Sequence, residues 1–327
     1  NVDLLSYNFQ DNNDLAEMTT EAANGLLLSN HSYGTPASSL PVSALGAYVQ
    51  KTASLDALLY NAPFYSVQFA AGNDRNSGVN LNDNGYDLLT RTSLAKNAIV
   101  VANVSEVTNY TGPSIVNISQ SSSWGPTDDG RIKPDISTKG TNVFSPIATS
   151  DTDYANLSGT SMAAPGVTGS LALLQELSNQ LNGSFLRAAT LRALMANSAR
   201  EAGNNPGPDY KFGWGLMNTE GMAETIVENR FNEKTLINGA NYTKTVQAVG
   251  ANTPLKVTIA WQDLPGPVQG FDDEDNPTPR LVNDLDVRVT DSDGNEFEPW
   301  TLNQVVPFLQ AFKGDNIVDN IEKVVVD

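Results

Sequence analysis

The feature that most constrains the fold is an alternation of short apolar segments with helical patterns over about the first 230 residues. Residues 26–29, 65–69 and 98–101 are apolar runs without a clean two-residue alternation, as expected for strands that are covered on both faces. Three other segments place apolar side chains at helical spacing: residues 42–60, 171–177 and 186–199. Strands that alternate with helices predict an α/β fold built on a parallel sheet.

The pattern changes after about residue 233. Residues 256–261 and 285–290 alternate apolar and polar side chains, and residues 291–295 form a hairpin-type turn sequence. This pattern is typical of a small antiparallel β-barrel or jelly-roll. We therefore expect two domains, an α/β domain over residues 1–232 and a β domain over residues 233–327, the second of them truncated.

Composition narrows the classes of partner. The 327 residues carry a formal net charge of −18, which disfavours nucleic acid and anionic membranes as partners, because both reward Lys and Arg. The longest apolar runs, such as residues 98–102, are too short to span a bilayer. An acidic, soluble surface fits a secreted protein. Both ends of the sequence read as strands, so we expect a piece of a longer exported precursor.

The strongest chemical signal surrounds Ser161. Here a turn of small residues, including Gly159, leads the serine into the first turn of an apolar helix. Backbone N–H groups and the positive end of the helix dipole then point at any charge that develops beside the hydroxyl. A serine before a helix is more commonly a simple cap, so the position alone does not establish catalysis.

The residues around Ser161 form a longer motif that is more specific than a helix cap. The segment Gly159-Thr-Ser-Met-Ala-Ala-Pro165 resembles the serine motif of the subtilisin-like serine proteases. The resemblance implies that Ser161 is the nucleophile that attacks a peptide carbonyl. The segment Phe69-Ala-Ala-Gly-Asn73-Asp resembles the family's oxyanion segment, which implies that the amide of Asn73 stabilises the developing oxyanion.

Further segments match the family in order and extend the resemblance over residues 1 to about 230. Residues 29–34 resemble the strand that pairs with substrate backbone, and residues 121–135 and 210–218 resemble later family loops. The implied walls of the first specificity pocket are Ser32, Tyr33 and Gly34 on one side, and Ala70, Ala71 and Gly72 on the other. These walls leave room for a large apolar side chain without requiring one. Thr138-Lys139-Gly140 departs from the family's usual Ala-Pro-Gly.

Two parts of the family's triad are missing. The family orders its triad Asp, His, Ser, but this sequence has one histidine, His31, which lies in the substrate-wall segment. We expect His31 to be a structural residue that is satisfied by hydrogen bonds. Residues 1–7 resemble the strand that follows the family's histidine helix, so the missing Asp and His would lie upstream of residue 1. We expect a gap in the sheet where the Asp strand belongs and a nearly inert chain. Either an upstream portion of the same protease stays bound as a partner, or strands are exchanged between copies of the chain.

The C-terminal part contains candidate calcium ligands. Residues 280–290 and 260–263 resemble the β-barrel that some bacterial subtilisin-like proteases carry, which can bind calcium. Asp284 and Asp286 alternate with Leu285 and would point to one face of a strand, with the acidic run 272–275 nearby. They are candidate ligands for a structural Ca²⁺. The alternative is a solvated acidic loop.

Three functions remain open at this point. The first is a secreted serine endopeptidase that cleaves proteins or peptides through an acyl-enzyme on Ser161. The second is a catalytically inactive protease homologue that acts as a protein-binding module. The third is a structural or adhesion protein in which the β-barrel matters more than the catalytic domain.

Overall fold

A computed structural model describes residues 2–250 and 253–327. Its centre is a four-stranded, all-parallel sheet in the order β1-β2-β3-β4. The strands are β1 (Leu28–His31), β2 (Ser66–Ala70), β3 (Ile99–Val104) and β4 (Ile136–Lys139). Every residue of β2 and β3 is buried. The predicted α/β fold with a parallel sheet is confirmed.

Helices cover both faces of this sheet: α1 (Asp14–Ala23), α2 (Gln50–Asn61), α3 (Thr160–Asn182), α4 (Ala188–Ser198) and α5 (Thr219–Val227). Val67 and Phe69 of β2 pack in one cluster with Leu55 of α2. Ala70 packs in a separate cluster with Val167 of α3. Because both faces of β2 are covered by apolar side chains, its sequence shows no two-residue alternation.

The helix predicted over residues 42–60 is wrong in its first half. A single 3-10 turn spans Val42–Ala44, and α2 begins only at Gln50. Between them, Gly46 adopts a left-handed φ of 67° and donates its amide to the carbonyl of Leu89 at 3.0 Å. That left-handed residue interrupts the right-handed helix, which apolar spacing alone does not reveal.

The N-terminal strand predicted over residues 1–7 is also wrong where it can be judged, and Asn1 lies outside the described residues. Residues 2–7 form neither helix nor strand and are exposed. The predicted gap inside the sheet is absent, since β1 to β4 are contiguous. Within the described residues, β1 pairs with β2 alone, so the outer side of β1 is an open edge of the sheet.

The strands of the C-terminal region pair antiparallel, as predicted. β7 (Leu255–Ala260) pairs with β12 (Ile321–Val326). Two shorter pairs join β8 (Val289–Thr290) to β9 (Glu296–Phe297) and β10 (Trp300–Thr301) to β11 (Phe312–Lys313). The strand predicted over residues 285–290 is therefore reduced to its last two residues. The boundary at residues 232 and 233 stays a prediction.

The C-terminal region is fastened to the α/β part by buried polar contacts. The Lys96 ammonium, which precedes β3, bonds the carboxylate of Asp263, and both side chains are fully buried. Arg192 of α4 donates to the side chain of Asn320 at 2.7 Å. Across the residues that the structure describes, no helix combines the length and the apolarity that a membrane crossing requires.

Candidate active site

The sequence around Ser161 folds into a hairpin followed by a long helix. The strands β5 (Val143–Pro146) and β6 (Tyr154–Leu157) pair antiparallel, and α3 begins three residues after β6. Ser161 is the second residue of α3, so its amide lies in the first helical turn, where no helical carbonyl is available to it. A donor is therefore directed at the space beside the serine hydroxyl.

Asn73 lies just beyond the carboxyl end of β2 and is fixed to the start of α3. Its Oδ1 accepts the backbone N–H of Thr160 at 2.9 Å and the Thr160 hydroxyl at 3.2 Å. Because Oδ1 is engaged in this way, the Nδ2 donor is left facing away from Thr160. The amide of Gly72 lies 3.2 Å from Thr160 Oγ1, which joins the same two segments a second time.

The serine hydroxyl has a partner, but that partner is not a base. Ser161 Oγ donates to the backbone carbonyl of Ser32 at 2.9 Å, and Ser32 Oγ donates to the carbonyl of Ser161 at 2.8 Å. A backbone carbonyl accepts a hydrogen bond and does not take up a proton at neutral pH. This reciprocal pair positions Ser161 at the end of β1 without activating it.

His31 is structural, in agreement with the expectation from the sequence. It is 7% exposed, its ring stacks on Phe69, and its two nitrogens lie 2.8 Å from Ser29 Oγ and 2.7 Å from the Tyr33 hydroxyl. Burial lowers its pKa to about 4, so the ring is neutral at pH 7. With both nitrogens engaged away from Ser161, the one histidine of the chain does not act as the base.

The proposed pocket walls follow the ends of neighbouring parallel strands. The pairing of β1 with β2 places Ser32 beside Ala70, one step beyond the His31–Phe69 pair. Ala70 and Ala71 are buried, whereas Gly34 is exposed. A side chain at Gly72, which has a left-handed φ of 109°, would crowd Ser123 Oγ at 2.9 Å.

Tyr33 is placed differently from the other wall residues. Its hydroxyl bonds His31, and its ring stacks on Phe9 with centroids 5.0 Å apart. Burial, followed by the charge of Asp14, raises the pKa of the Tyr33 hydroxyl. The contacts of this ring therefore lie on the side of the N-terminal segment.

Two sets of acidic residues in the C-terminal region bear on the calcium prediction. Asp286 lies 3.2 Å from an Arg288 guanidinium nitrogen that also bonds Asp315, so a positive charge is already present there. Asp284 and Asp286 as calcium ligands stay a prediction, and this guanidinium makes the fit poorer. Asp275, from the acidic run, lies instead with Asp87 and Asp128 of the α/β part.

Two parts of this arrangement were missed in the sequence. Thr160 orients Asn73, and its place inside the serine motif was the available signal. The contact between Asp87, Asp128 and Asp275 joins residues 41 and 147 positions apart, and no local pattern indicates it.

Comparison with known proteins agrees with this geometry. The model of the subtilase family matches residues 1–215. The chain belongs to the subtilase family. It is 52% identical over 59 residues to the C5a peptidase of Streptococcus pyogenes serotype M18, a match that covers 18% of this chain and 5% of that protein. It is 41% identical over 68 residues to the PII-type proteinase of Lactococcus lactis subsp. cremoris, covering 21% of this chain and 4% of that protein.

Solved structures were matched as well. The prenylagaramide maturation protease PagA aligns with a TM-score of 0.49 at 20% identity, over 69% of this chain and 70% of that one. The self-cleaved protease domain of PatA aligns with a TM-score of 0.48 at 22% identity, over 66% of this chain and 68% of that one. The chain spans about 5% of the length of the curated relatives that it matches first.

Proposed function

We propose that this chain carries the nucleophile half of a subtilase endopeptidase, with Ser161 forming the acyl-enzyme and Asn73 donating to the oxyanion. The observation that carries the proposal is the placement of Asn73 by Thr160, immediately beside the serine at the start of α3. A serine that only capped a helix would need no amide donor held next to it.

The chemistry follows from this placement. As Ser161 Oγ attacks a peptide carbonyl, its proton passes to the histidine of the triad and negative charge develops on the carbonyl oxygen, to which the Ser161 amide and Asn73 Nδ2 would donate. The intermediate then collapses to the acyl-enzyme as the C–N bond breaks and the amine leaves with that proton. One such side-chain donor contributes about 10²–10³ in rate. Ser32, Gly34, Ala70, Ala71 and Gly72 would form the walls that hold the substrate, with Tyr33 supporting the first wall from behind.

The activating Asp and His are proposed to come from residues outside this sequence. Ser161 donates to a carbonyl, and His31 is buried and engaged elsewhere. The open edge of β1 offers backbone groups to a further strand. Val2, Leu4 and Leu5 are 71%, 89% and 61% exposed, which leaves apolar surface near the start of the chain for a partner. An upstream portion of the same protease fits both features.

The substrates would be proteins or peptides, and the location would be extracellular. The segment that follows β1, in which Ser32 and Tyr33 are half-buried and Gly34 is exposed, favours pairing with an extended peptide backbone, a mode that reads main chain more than side chains. The net charge of −18 suits a soluble secreted enzyme. The walls are small residues, and Tyr33 makes its contacts with His31 and Phe9, so these residues favour no particular substrate side chain.

The test uses the complete gene product that contains these residues, with casein as the substrate. We expect hydrolysis, loss of hydrolysis in Ser161→Ala, and kcat lower by about 10²–10³ with KM nearly unchanged in Asn73→Ala. Glu106→Gln, an exposed change, is the matched control. Absence of hydrolysis, together with tight binding of an unfolded peptide, would instead establish the inactive homologue as a binding module.

A further inference from the structure

Three carboxylates that are distant in sequence converge away from Ser161. One oxygen from each of Asp87, Asp128 and Asp275 lies within 4.8 Å of the other two. Two oxygens that share a calcium ion at about 2.4 Å are at most about 4.8 Å apart, so the spacing is that of a common ligand sphere. Acidic side chains often lie close together without binding a metal ion, so the hydrogen bonds around these three carboxylates matter as well.

Two of the three side chains are buried with one oxygen in use and one idle. Asp87 and Asp128 are each 6% exposed. Asp87 Oδ2 accepts from the amide of Asn80 at 3.1 Å, and Asp128 Oδ2 accepts from the amide of Gln269 at 2.5 Å. Oδ1 of each has no hydrogen-bond partner within the described residues. A buried carboxylate oxygen without a donor is costly, so a cation bound to these two Oδ1 atoms would stabilise them.

The two idle oxygens point into the same space. A side chain added at Gly46 would overlap both Asp87 Oδ1 and Asp128 Oδ1, so these atoms face each other above this glycine. Gly46 has a left-handed φ of 67°, and its carbonyl accepts the amide of Asp128 at 3.1 Å. The missing side chain at Gly46 keeps the space between the oxygens open.

The surrounding charge is predominantly negative. Burial raises the pKa of Asp87, and the charges of Asp128 and Asp275 raise it further. Burial likewise raises the pKa of Asp128 to about 7. The neighbouring guanidinium of Arg280 lowers the pKa of Asp128 in part, but it donates to the carbonyl of Pro267 at 3.2 Å and to Gln269 at 3.1 Å and makes no hydrogen bond to either Oδ1.

We infer that Asp87 Oδ1, Asp128 Oδ1 and a carboxylate oxygen of Asp275 bind a calcium ion. Oxygen-only ligands of full negative charge select a hard divalent cation, and the partly exposed side contributed by Asp275 leaves room for the waters that complete six to eight ligands. The ion supplies the positive charge that both buried oxygens lack.

The site joins two parts of the chain. Asp87 and Asp128 belong to the α/β part, whereas Asp275 lies in the loop between β7 and β8. Gln269, from the same loop, already bonds Asp128. Calcium would therefore fasten this loop to the α/β part, and its removal would release the loop before the sheet unfolds.

The experiment measures terbium luminescence and thermal unfolding of the wild type, Asp87→Asn, Asp128→Asn and the exposed control Glu106→Gln, with Asp284→Asn/Asp286→Asn as the competing set of ligands. Tb³⁺ takes the place of Ca²⁺, and Tyr86, which packs on Trp124 at 5.1 Å, is next to Asp87 and can sensitise it. We expect saturable emission that Ca²⁺ displaces, and a Tm several degrees higher in calcium than in EGTA. Loss of one charged ligand should weaken binding about 100-fold in each single variant and leave the control unchanged.

The sign of the change in Tm separates a metal site from simple repulsion. In EGTA, Asp87→Asn should raise Tm, because its amide can donate to a neighbouring carboxylate; in calcium the same change should lower it. The inference is overturned if calcium leaves Tm unchanged, if the single variants bind Tb³⁺ as the wild type does, or if only the Asp284/Asp286 double variant loses binding.

Discussion

Replacing Asp263 with Ala should unfasten the C-terminal region from the α/β part. The side chain of Asp263 is fully buried. Its carboxylate bonds the Lys96 ammonium and accepts the amides of Val282 and Asn283 at 2.8 and 2.9 Å. Removing one partner of a buried ion pair costs about 3–5 kcal/mol, because the other charge stays buried without compensation.

That loss is large against a total stability of about 5–15 kcal/mol. With a urea m-value of about 3 kcal/mol/M, a loss of about 4 kcal/mol lowers the unfolding midpoint by about 1.3 M. Tryptophan fluorescence reports it, since Trp261 donates to the carbonyl of Asn283 in the same region. The control is Glu106→Gln, which breaks the exposed pair with Lys139 and should lower the midpoint by about 0.3 M or less. An Asp263→Ala midpoint no lower than that of this control would refute the reasoning.

Two further predictions concern residues near the active site. The pKa of His31 is about 4 in the folded chain and about 6.5 in the unfolded chain. The free energy of unfolding should therefore fall by about 3 kcal/mol as the pH decreases from about 6.5 to 4. His31→Gln should flatten this part of the profile of unfolding free energy against pH, and an unchanged profile would contradict the assignment. Gly159→Ala should lower the free energy of unfolding by about 1–2 kcal/mol, because Gly159 has a φ of 154°, which a residue with a side chain rarely adopts. The added side chain would also contact the side-chain amide of Asn73 at 3.5 Å. An unaltered urea midpoint and an unaltered kcat in the complete gene product would show that this glycine is not required.

The fold was predictable where a local pattern carries the information. Apolar runs gave β2 and β3, and the Gly159–Pro165 motif placed Ser161 at the start of α3. The helix predicted from apolar spacing over residues 42–60 was wrong in its first half, because the left-handed turn at Gly46 depends on hydrogen bonds to other segments of the chain. Residues 2–7 had a strand-like sequence but lacked a neighbouring strand, and strand formation depends on that neighbour.

The candidate active site was predictable only in part, because some of its contacts join segments that are distant in sequence. Ser161 and Asn73 come from motifs, whereas the roles of Thr160 and Ser32 in positioning them depend on contacts across the sheet edge. The group formed by Asp87, Asp128 and Asp275 depends on tertiary structure alone, and the acidic run that contains Asp275 suggested a different set of ligands.

The central claim is that Ser161 is a subtilase nucleophile whose activating residues lie outside these 327 residues. The most direct test is the rate of covalent labelling of Ser161 by a fluorophosphonate, with the modified residue located by mass spectrometry. We predict that Ser161 in the complete gene product is labelled at least about 10³-fold faster than in the 327-residue chain, where it should react like an ordinary serine. Rapid labelling of the 327-residue chain by itself, or none in the complete gene product, would contradict the claim.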